Sequence, residues 1–392
     1  MKYGLWKMKD NERYKKAGSS YAKKVKVALL TILTAALLVS GCGAPQKYES
    51  TGVGMGTIIT QTLYVKGNAK EVSDKVKKLV WDTEQEISWR IETSEISGIN
   101  AAAGKGAEGS AENAAAGGTG AGYALPKELA ADLEKIWQVS KDSEGALDLT
   151  VGPVVRLWDI DTWAAMDEAE IQEKRNDILP TEAEIKDKLS LTGYEKVTID
   201  DNIIYLPEGY MLDMGAVGKG MTCDRILALL QGDMAPLSGT EPISDLAEVQ
   251  GAVISLGGNI LTYGEKPDGS AWKVGIVDPM EPDTYLGTLT LTGTNFVTTS
   301  GDYERFVEIG GVRYHHIIDP ATGYPADSGI RSVTILSDNG LLGDALSTAC
   351  FVLGPQKALE LAEKYGADIL IVTKAGELVM SEGMTKILSI KK

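Results

Sequence analysis

From Ala252 to Ser381 short β-branched and apolar runs alternate with glycine-marked turns, and few folds accommodate that pattern. Ala252–Leu256, Trp272–Val277, Leu286–Leu291, Val297–Ser300 and Ser332–Leu336 read as strands. Gly310-Gly311 marks a hairpin between Tyr303–Ile309 and Val312–Ile318, and Lys374-Ala375-Gly376 joins Asp368–Thr373 to Glu377–Ser381. Such tight turns join antiparallel neighbours, because parallel strands need a long crossover. Apolar helices are expected at Leu341–Leu353 and Gln356–Tyr365. Hairpins outnumber βαβ units, which predicts an α+β fold: mostly antiparallel sheets flanked by helices.

In the first half, Gly52-Val53-Gly54-Met55-Gly56-Thr57 leads into a strand over Ile58–Val65, and its glycines let backbone approach a ligand. Val72, Val76, Leu79, Val80 and Ile87 recur at helical spacing from Lys70 to Ile87. Residues 88–100 read as a polar loop. Ala101–Gly122, nearly all Ala, Gly and small polar residues, reads as a flexible surface insertion with nothing to pack. A helix from Pro126 to about Ser143 buries Leu129, Leu133, Ile136 and Trp137, and a capping box, Thr181 with Glu184, starts another that reaches Leu191. Asp201-Asn202 turns a hairpin between Lys196–Asp200 and Ile203–Leu206. Asp159–Leu179 is charged and without a clear period, and 231–250 reads as a second surface excursion.

The first 41 residues do not belong to this core. A Lys/Arg-rich stretch reaches Lys26, an apolar run covers Val27–Val39, and Val39-Ser40-Gly41-Cys42 follows, the order of a secretory signal. Small residues before a cysteine resemble the lipobox of bacterial lipoproteins, which implies cleavage before Cys42, diacylation of its thiol and a domain anchored outside the cell membrane. The expected organisation is a signal at 1–41, a tether at 42–50, and one catalytic domain at 51–392 carrying the 101–122 insertion. Of the 39 Lys/Arg and 55 Asp/Glu, residues 1–41 hold nine and two, so the remainder carries 30 basic against 53 acidic groups. That excess excludes a nucleic-acid partner. An acidic protein that binds a phosphorylated ligand must neutralise it locally, with a divalent cation and backbone N–H groups. Beyond Cys42 only Cys223 and Cys350 remain, each in an apolar stretch, as expected of buried free thiols.

His315 and His316 are the only histidines, adjacent at the end of an expected strand that runs into Ile317-Ile318-Asp319-Pro320. Imidazole acid–base chemistry near neutrality must use this pair; the plainer reading is a polar strand end. Asp344 and Thr348, four residues apart, share a helix face on which a carboxylate and a hydroxyl can hold a hard cation, with Ser347 turned elsewhere; ordinary capping would also explain them. Asp213-Met214-Gly215-Ala216-Val217-Gly218-Lys219-Gly220 offers a carboxylate, exposed backbone and one ammonium before a helix, a place for phosphate or simply a strand-to-helix turn. Gly257-Gly258-Asn259 and Thr299-Ser300-Gly301-Asp302-Tyr303 join the histidines only if the sheet gathers them. Trp137, Trp158, Trp163 and Trp272 suit a core, whereas Trp89, in polar surroundings, suits stacking on a ligand.

Read in order, M-G-T, S-E-I-S-G-I-N, G-A-L-D-L-T-V-G-P, L-D-M-G-A-V-G-K-G, S-L-G-G-N-I, T-T-S-G-D-Y-E-R-F, H-H-I-I-D-P-x-T-G-Y-P and G-D-A-L-S-T-A resemble the FAD:protein FMN transferases, the ApbE family, from Met55 to Leu353. The resemblance implies a T-fold-like catalytic domain of an exported enzyme that cuts FAD and attaches FMN through a phosphoester to a serine or threonine of an acceptor protein, releasing AMP. It implies Mg²⁺ held by Asp344, Thr348 and the Ala216 carbonyl, His316 as base, and FAD contacts from Met55, Ala146, Leu147, Asp148, Asp213, Lys219 and Ile317. Trp89 stands where many relatives carry tyrosine, which keeps stacking and loses a phenolic hydrogen bond. The acceptor it suggests is a membrane electron-transport subunit. Two other activities fit the same residues: an Mg²⁺-dependent FAD pyrophosphatase giving FMN and AMP, and a flavin-binding lipoprotein without catalysis.

Overall fold

A computed structural model describes residues 44–104, 122–233, 243 and 247–391. The expected signal and Cys42 lie outside the described residues, as does most of the 101–122 insertion. No helix among the described residues is long and apolar enough to cross a membrane.

The architecture is α+β, around one eight-stranded sheet whose spatial order is Gln46–Gly54, Thr57–Gly67, Ala247–Leu256, Asn259–Gly264, Asn295–Gly301, Ile330–Ser337, Asp368–Thr373 and Leu378–Met380. Every neighbouring pair is antiparallel, as the hairpin pattern requires. Side chains alternate between two buried faces. On one, Phe296 packs with Ile59, Leu79 and Ile226 under helices Ala69–Ile87 and Gly218–Gln231. On the other, its neighbour Val297 packs with Trp272 and Leu289 of a small sheet built from Trp272–Val277, Tyr285–Leu291 and Leu388–Ile390. The largest cluster joins Lys127–Asp142 and Gly340–Leu353 to Ile330, Val333 and Ile335.

Several elements differ from their sequence reading, each for a physical reason. The tether at 42–50 is in part a strand: Gln46–Gly54 pairs residue by residue with Thr57–Gly67. It is an edge strand, half-buried on one face only, so polar residues suffice and no apolar alternation announces it. The loop at 88–100 contains the helix Glu95–Ala102, capped by Ser94 and buried through Ile96 and Ile99 alone, too short for a period to show. Asn259–Gly264 continues as a strand beyond the Gly257-Gly258 turn, and Asp159–Leu179 folds into the short helices Ile160–Trp163 and Glu168–Ile178. The Thr181 capping box and the Asp201-Asn202 hairpin are present as read, the latter with positive φ at both turn residues. Cys223 and Cys350 are free and buried.

Gly218–Gln231 and Gly340–Leu353 meet at their N-termini, where the first turns of a helix carry unpaired N–H groups and positive potential. Each helix supplies the other's anion. Asp344 Oδ2 accepts from Gly220 N at 2.8 Å, and Asp224 accepts from Gly340 N at 2.7 Å and Leu341 N at 2.8 Å. Burial pushes the Asp224 carboxyl up to about 6 against those two donors. The backbones approach so closely that a Cβ on Gly220 would overlap the Gly340 carbonyl, and one on Gly340 the Gly220 carbonyl. Gly220→Ala is therefore expected to cost about 1–3 kcal/mol of overpacking strain and to lower the thermal midpoint by several degrees in scanning calorimetry. An unchanged midpoint would show that the helices can separate without loss.

Candidate functional site

The residues gathered by this helix contact line a cavity of about 560 Å³. One wall is the Met55–Thr57 turn with Glu84, Trp89 and Arg90; a second is Ala146–Leu149 with Trp158, Ile160 and Asp161; a third is Thr299, Ser300, Glu304, Arg305, His316 and Ile317. Ala216, Lys219, Asp344 and Thr348 complete it. All twelve residues named from sequence thus border one space: Met55, Trp89, Ala146, Leu147, Asp148, Asp213, Ala216, Lys219, His316, Ile317, Asp344 and Thr348.

The two histidines diverge because they fall on opposite sides of a strand end. His315 is 3% exposed and does not line the cavity. Its Nε2–H donates to the Ala326 carbonyl at 3.0 Å and its Nδ1 accepts from Ile317 N at 3.3 Å, with Phe351 edge-on to the ring. Both nitrogens are occupied, so His315 stitches the strand to the loop behind it. His316 lines the cavity, and its Nδ1 lies 3.2 Å from the Arg305 carbonyl. A carbonyl only accepts, so Nδ1 carries the proton and the lone pair sits on Nε2, the tautomer a base needs. Burial, then the Arg305 guanidinium, holds His316 well below the ordinary imidazole value, while Asp161 opposes the fall. It is neutral at pH 7.

Asp344 is buried, and burial raises its carboxyl despite Lys219, the Gly220 N–H and Asn259. The protein alone leaves this charge under-compensated. Thr348 lies one turn on, its Oγ1 3.5 Å from Ser300 Oγ, and Ser347 sits behind the wall with its Oγ 2.8 Å from Ser300 Oγ. Asp344, Thr348 and Ala216 line the same cavity, and a carboxylate, a hydroxyl and a backbone carbonyl are oxygen donors of the kind a hard divalent cation takes, not a soft one. Among the described residues no cluster of three or more His, Cys, Asp or Glu could hold a metal, so a cation at Asp344 would depend on neutral oxygens for its other ligands.

The remaining residues named from sequence divide. Asp213 Oδ2 accepts from Trp89 Nε1 at 3.0 Å and Oδ1 from Gly215 N at 2.7 Å, fixing both the indole and the loop. Asp148 is turned inward: its carboxylate serves Thr150 N and Oγ1, each at 2.7 Å, and Tyr194 N at 3.0 Å. Its part in the site is to shape the Ala146–Leu149 turn. Met55 holds a left-handed φ of 49°, costly for a residue with a side chain, and is secured by its N–H to Glu84 Oε2 at 2.9 Å and by Thr222 Oγ1 donating to its sulfur at 3.2 Å. Of the polar wall stretch, Asp302 turns away to pair with Arg313 and Arg331.

Sequence reasoning missed Glu84, Arg90, Asp161, Glu304 and Arg305. Asp161 accepts from Arg90 Nη2 at 2.7 Å and from Arg305 Nη1 at 2.8 Å. Burial works against its charge, but the two guanidinium groups prevail and hold it at about 2. No local signal marks it, since its partners lie far off in the chain.

A model of the ApbE family matches residues 55–371. The chain is 27% identical over 355 residues to the FAD:protein FMN transferase of Vibrio cholerae serotype O1, covering 89% of this chain and 94% of that protein. It is 30% identical over 357 residues to the FAD:protein FMN transferase of Treponema pallidum, covering 85% and 87%. The solved structure of the ApbE protein from Thermotoga maritima is similar with a TM-score of 0.70 at 26% identity, over 87% of this chain and 99% of that one.

Both imidazoles are depressed in the folded chain, so the unfolded chain takes up these protons first as pH falls. The imidazole contribution to stability is accordingly fully present above about 6.5 and is lost as pH drops below it, whereas the Asp161 contribution is lost only below about 4; Asp224, raised to about 6, works in the opposite sense and adds stability as pH falls through that value. Urea unfolding from pH 7 to 5 should show the imidazole contribution as a difference between parent and variant: stability should fall less steeply, or rise more, in His315→Gln as pH is lowered. An equal slope in parent and variant would contradict the burial argument.

Proposed function

The chain belongs to the ApbE family, and from that membership and the geometry of the cavity we propose that it is an FAD:protein FMN transferase acting on a serine or threonine hydroxyl of an acceptor protein. The observation that carries the reading is His316: an imidazole held neutral, with its proton fixed on Nδ1, on the same cavity as the Asp344–Thr348 oxygen set. A flavin carrier needs neither a base nor a cation site.

Asp344, Thr348 and the Ala216 carbonyl would hold Mg²⁺, whose chemistry there is to offset pyrophosphate charge as a Lewis acid. Lys219, on the same cavity, adds a positive charge beyond those of Arg90 and Arg305, which pair with Asp161. Trp89, immobilised by Asp213, offers a ring for flavin or adenine to stack on, and Leu147, Val155, Trp158 and Ile160 exclude water from that flank. The acceptor hydroxyl gives its proton to His316 Nε2 as its oxygen bonds to the phosphorus of the FMN half. The phosphoanhydride P–O bond to AMP breaks, and AMP leaves with that bond's electron pair. The Arg305 carbonyl keeps Nδ1 protonated throughout. We further propose that the leader delivers the enzyme to the outer face of the cell membrane, anchored at Cys42 and close to a membrane electron-transport acceptor.

The full chain supplied with FAD, Mg²⁺ and a threonine-bearing acceptor peptide is expected to add one FMN to the peptide by mass spectrometry. Free FMN and AMP with unmodified peptide would replace transfer by hydrolysis, and retained FAD would leave only a carrier. His316→Ala should lower kcat by about 10²–10⁴-fold with FAD still bound, and Asp344→Ala should abolish the Mg²⁺ requirement together with turnover. Because the base must be neutral and is held below its ordinary value, kcat/KM should stay flat from pH 7.5 down to about 6.5 and fall only below that. An acid limb centred above 7 would assign the base elsewhere.

A further inference from the structure

A polar belt runs round the cavity from Asp213 through Trp89, Arg90, Asp161 and Arg305 to His316. Trp89 Nε1 donates to Asp213, and the Arg90 guanidinium carbon lies 4.3 Å from the Trp89 ring centroid. Arg90 and Arg305 each donate to a different oxygen of Asp161, and the Arg305 carbonyl receives the His316 Nδ1 proton. Asp161 is therefore the middle link between the wall that stacks and the wall that holds the base. The backbone is bent to put it there: Asp159, at a left-handed φ of 43°, ends helix Gly152–Trp158 and opens Ile160–Trp163.

We propose that Asp161 is a positioning residue for transfer, which by bridging Arg90 and Arg305 holds the His316 base and the Trp89 ring in one registered unit. The proposal rests on the transferase reading of His316. Isolated exposed ion pairs contribute little, but this carboxylate is shared by two guanidinium groups, and its side chain is only 33% exposed. Its effect is on geometry more than on stability. The charges that bear on His316 are Arg305, Lys219 and neighbouring His315, which favour its neutral form, and Asp161, which favours the cation. Removing the Asp161 charge must move the base further down, not up.

The test uses the full chain with FAD, Mg²⁺ and the acceptor peptide. Asp161→Asn is expected to lower kcat by about ten- to a hundredfold and to shift the acid limb of kcat/KM down by about half a pH unit. Asp161→Glu, which keeps the charge, should return the limb to its parental position. In ¹⁵N-labelled protein the Trp89 indole resonance, identified by its loss in Trp89→Phe, should move in Asp161→Asn. The Trp137 and Trp272 indoles, bonded to the Tyr194 and Gly264 carbonyls, should stay as internal controls. Should Asp161→Asn fail to fold, Asp161→Glu carries the test through its own drop in kcat and its moved Trp89 resonance. A folded Asp161→Asn with parental kcat, limb and Trp89 resonance overturns the proposal. Failure of the parent to transfer counts against the transferase reading instead, and the indole resonance then decides the belt by itself.

Discussion

The cavity depends on one contact, the mutual capping of two helices at Gly220 and Gly340. A helix N-terminus is a standing demand for negative charge, and here each helix meets the other's demand with its own aspartate. Two glycines make the approach possible, because any side chain at either position would strike the opposing carbonyl. The contact spans 124 residues of sequence between Gly220 and Asp344, and so unites the 213–220 loop with a helix near the far end of the chain. Asp344 serves twice: one oxygen caps a neighbour, and the carboxylate as a whole remains under-compensated.

Two adjacent imidazoles show how surroundings settle the chemistry of identical groups. Burial lowers both, yet His315 has each nitrogen engaged by backbone while His316 has one nitrogen tied to a carbonyl. The chain's overall acidity has little influence on either. Arg90, Arg305 and Lys219 share the cavity wall with six carboxylates, so its cations are placed singly among acids and form no broad basic patch.

The sheet was legible because hairpins write themselves in local turns, and the site because its motifs are short and ordered. Residue type and spacing singled out Asp344, Thr348 and the histidine pair without deciding between chemistry and ordinary capping, family likeness chose His316, and all three chosen residues reach one cavity. Other features were hidden by the same locality. Gln46–Gly54 is recognisable only beside Thr57–Gly67, and Glu95–Ala102 offers just Ile96 and Ile99 as apolar markers. Asp161 has no motif at all, since its meaning comes from two arginines that are neighbours in space and not in sequence. Asp148, chosen through family likeness, proves to spend its carboxylate on Thr150 and Tyr194, a use no linear pattern distinguishes from ligand contact.

Cys223 and Cys350 lie in the two helices that cap each other, both buried and unpaired. Burial drives both thiols up, Cys350 to about 12, so the nucleophilic thiolate is absent at neutral pH and access is closed as well. Within the described residues, then, neither folding nor the integrity of the cavity waits on an electron donor or acceptor. Once folded, the chain keeps both thiols out of reach of oxidants and of exchange with other thiols, so the core is held by packing alone.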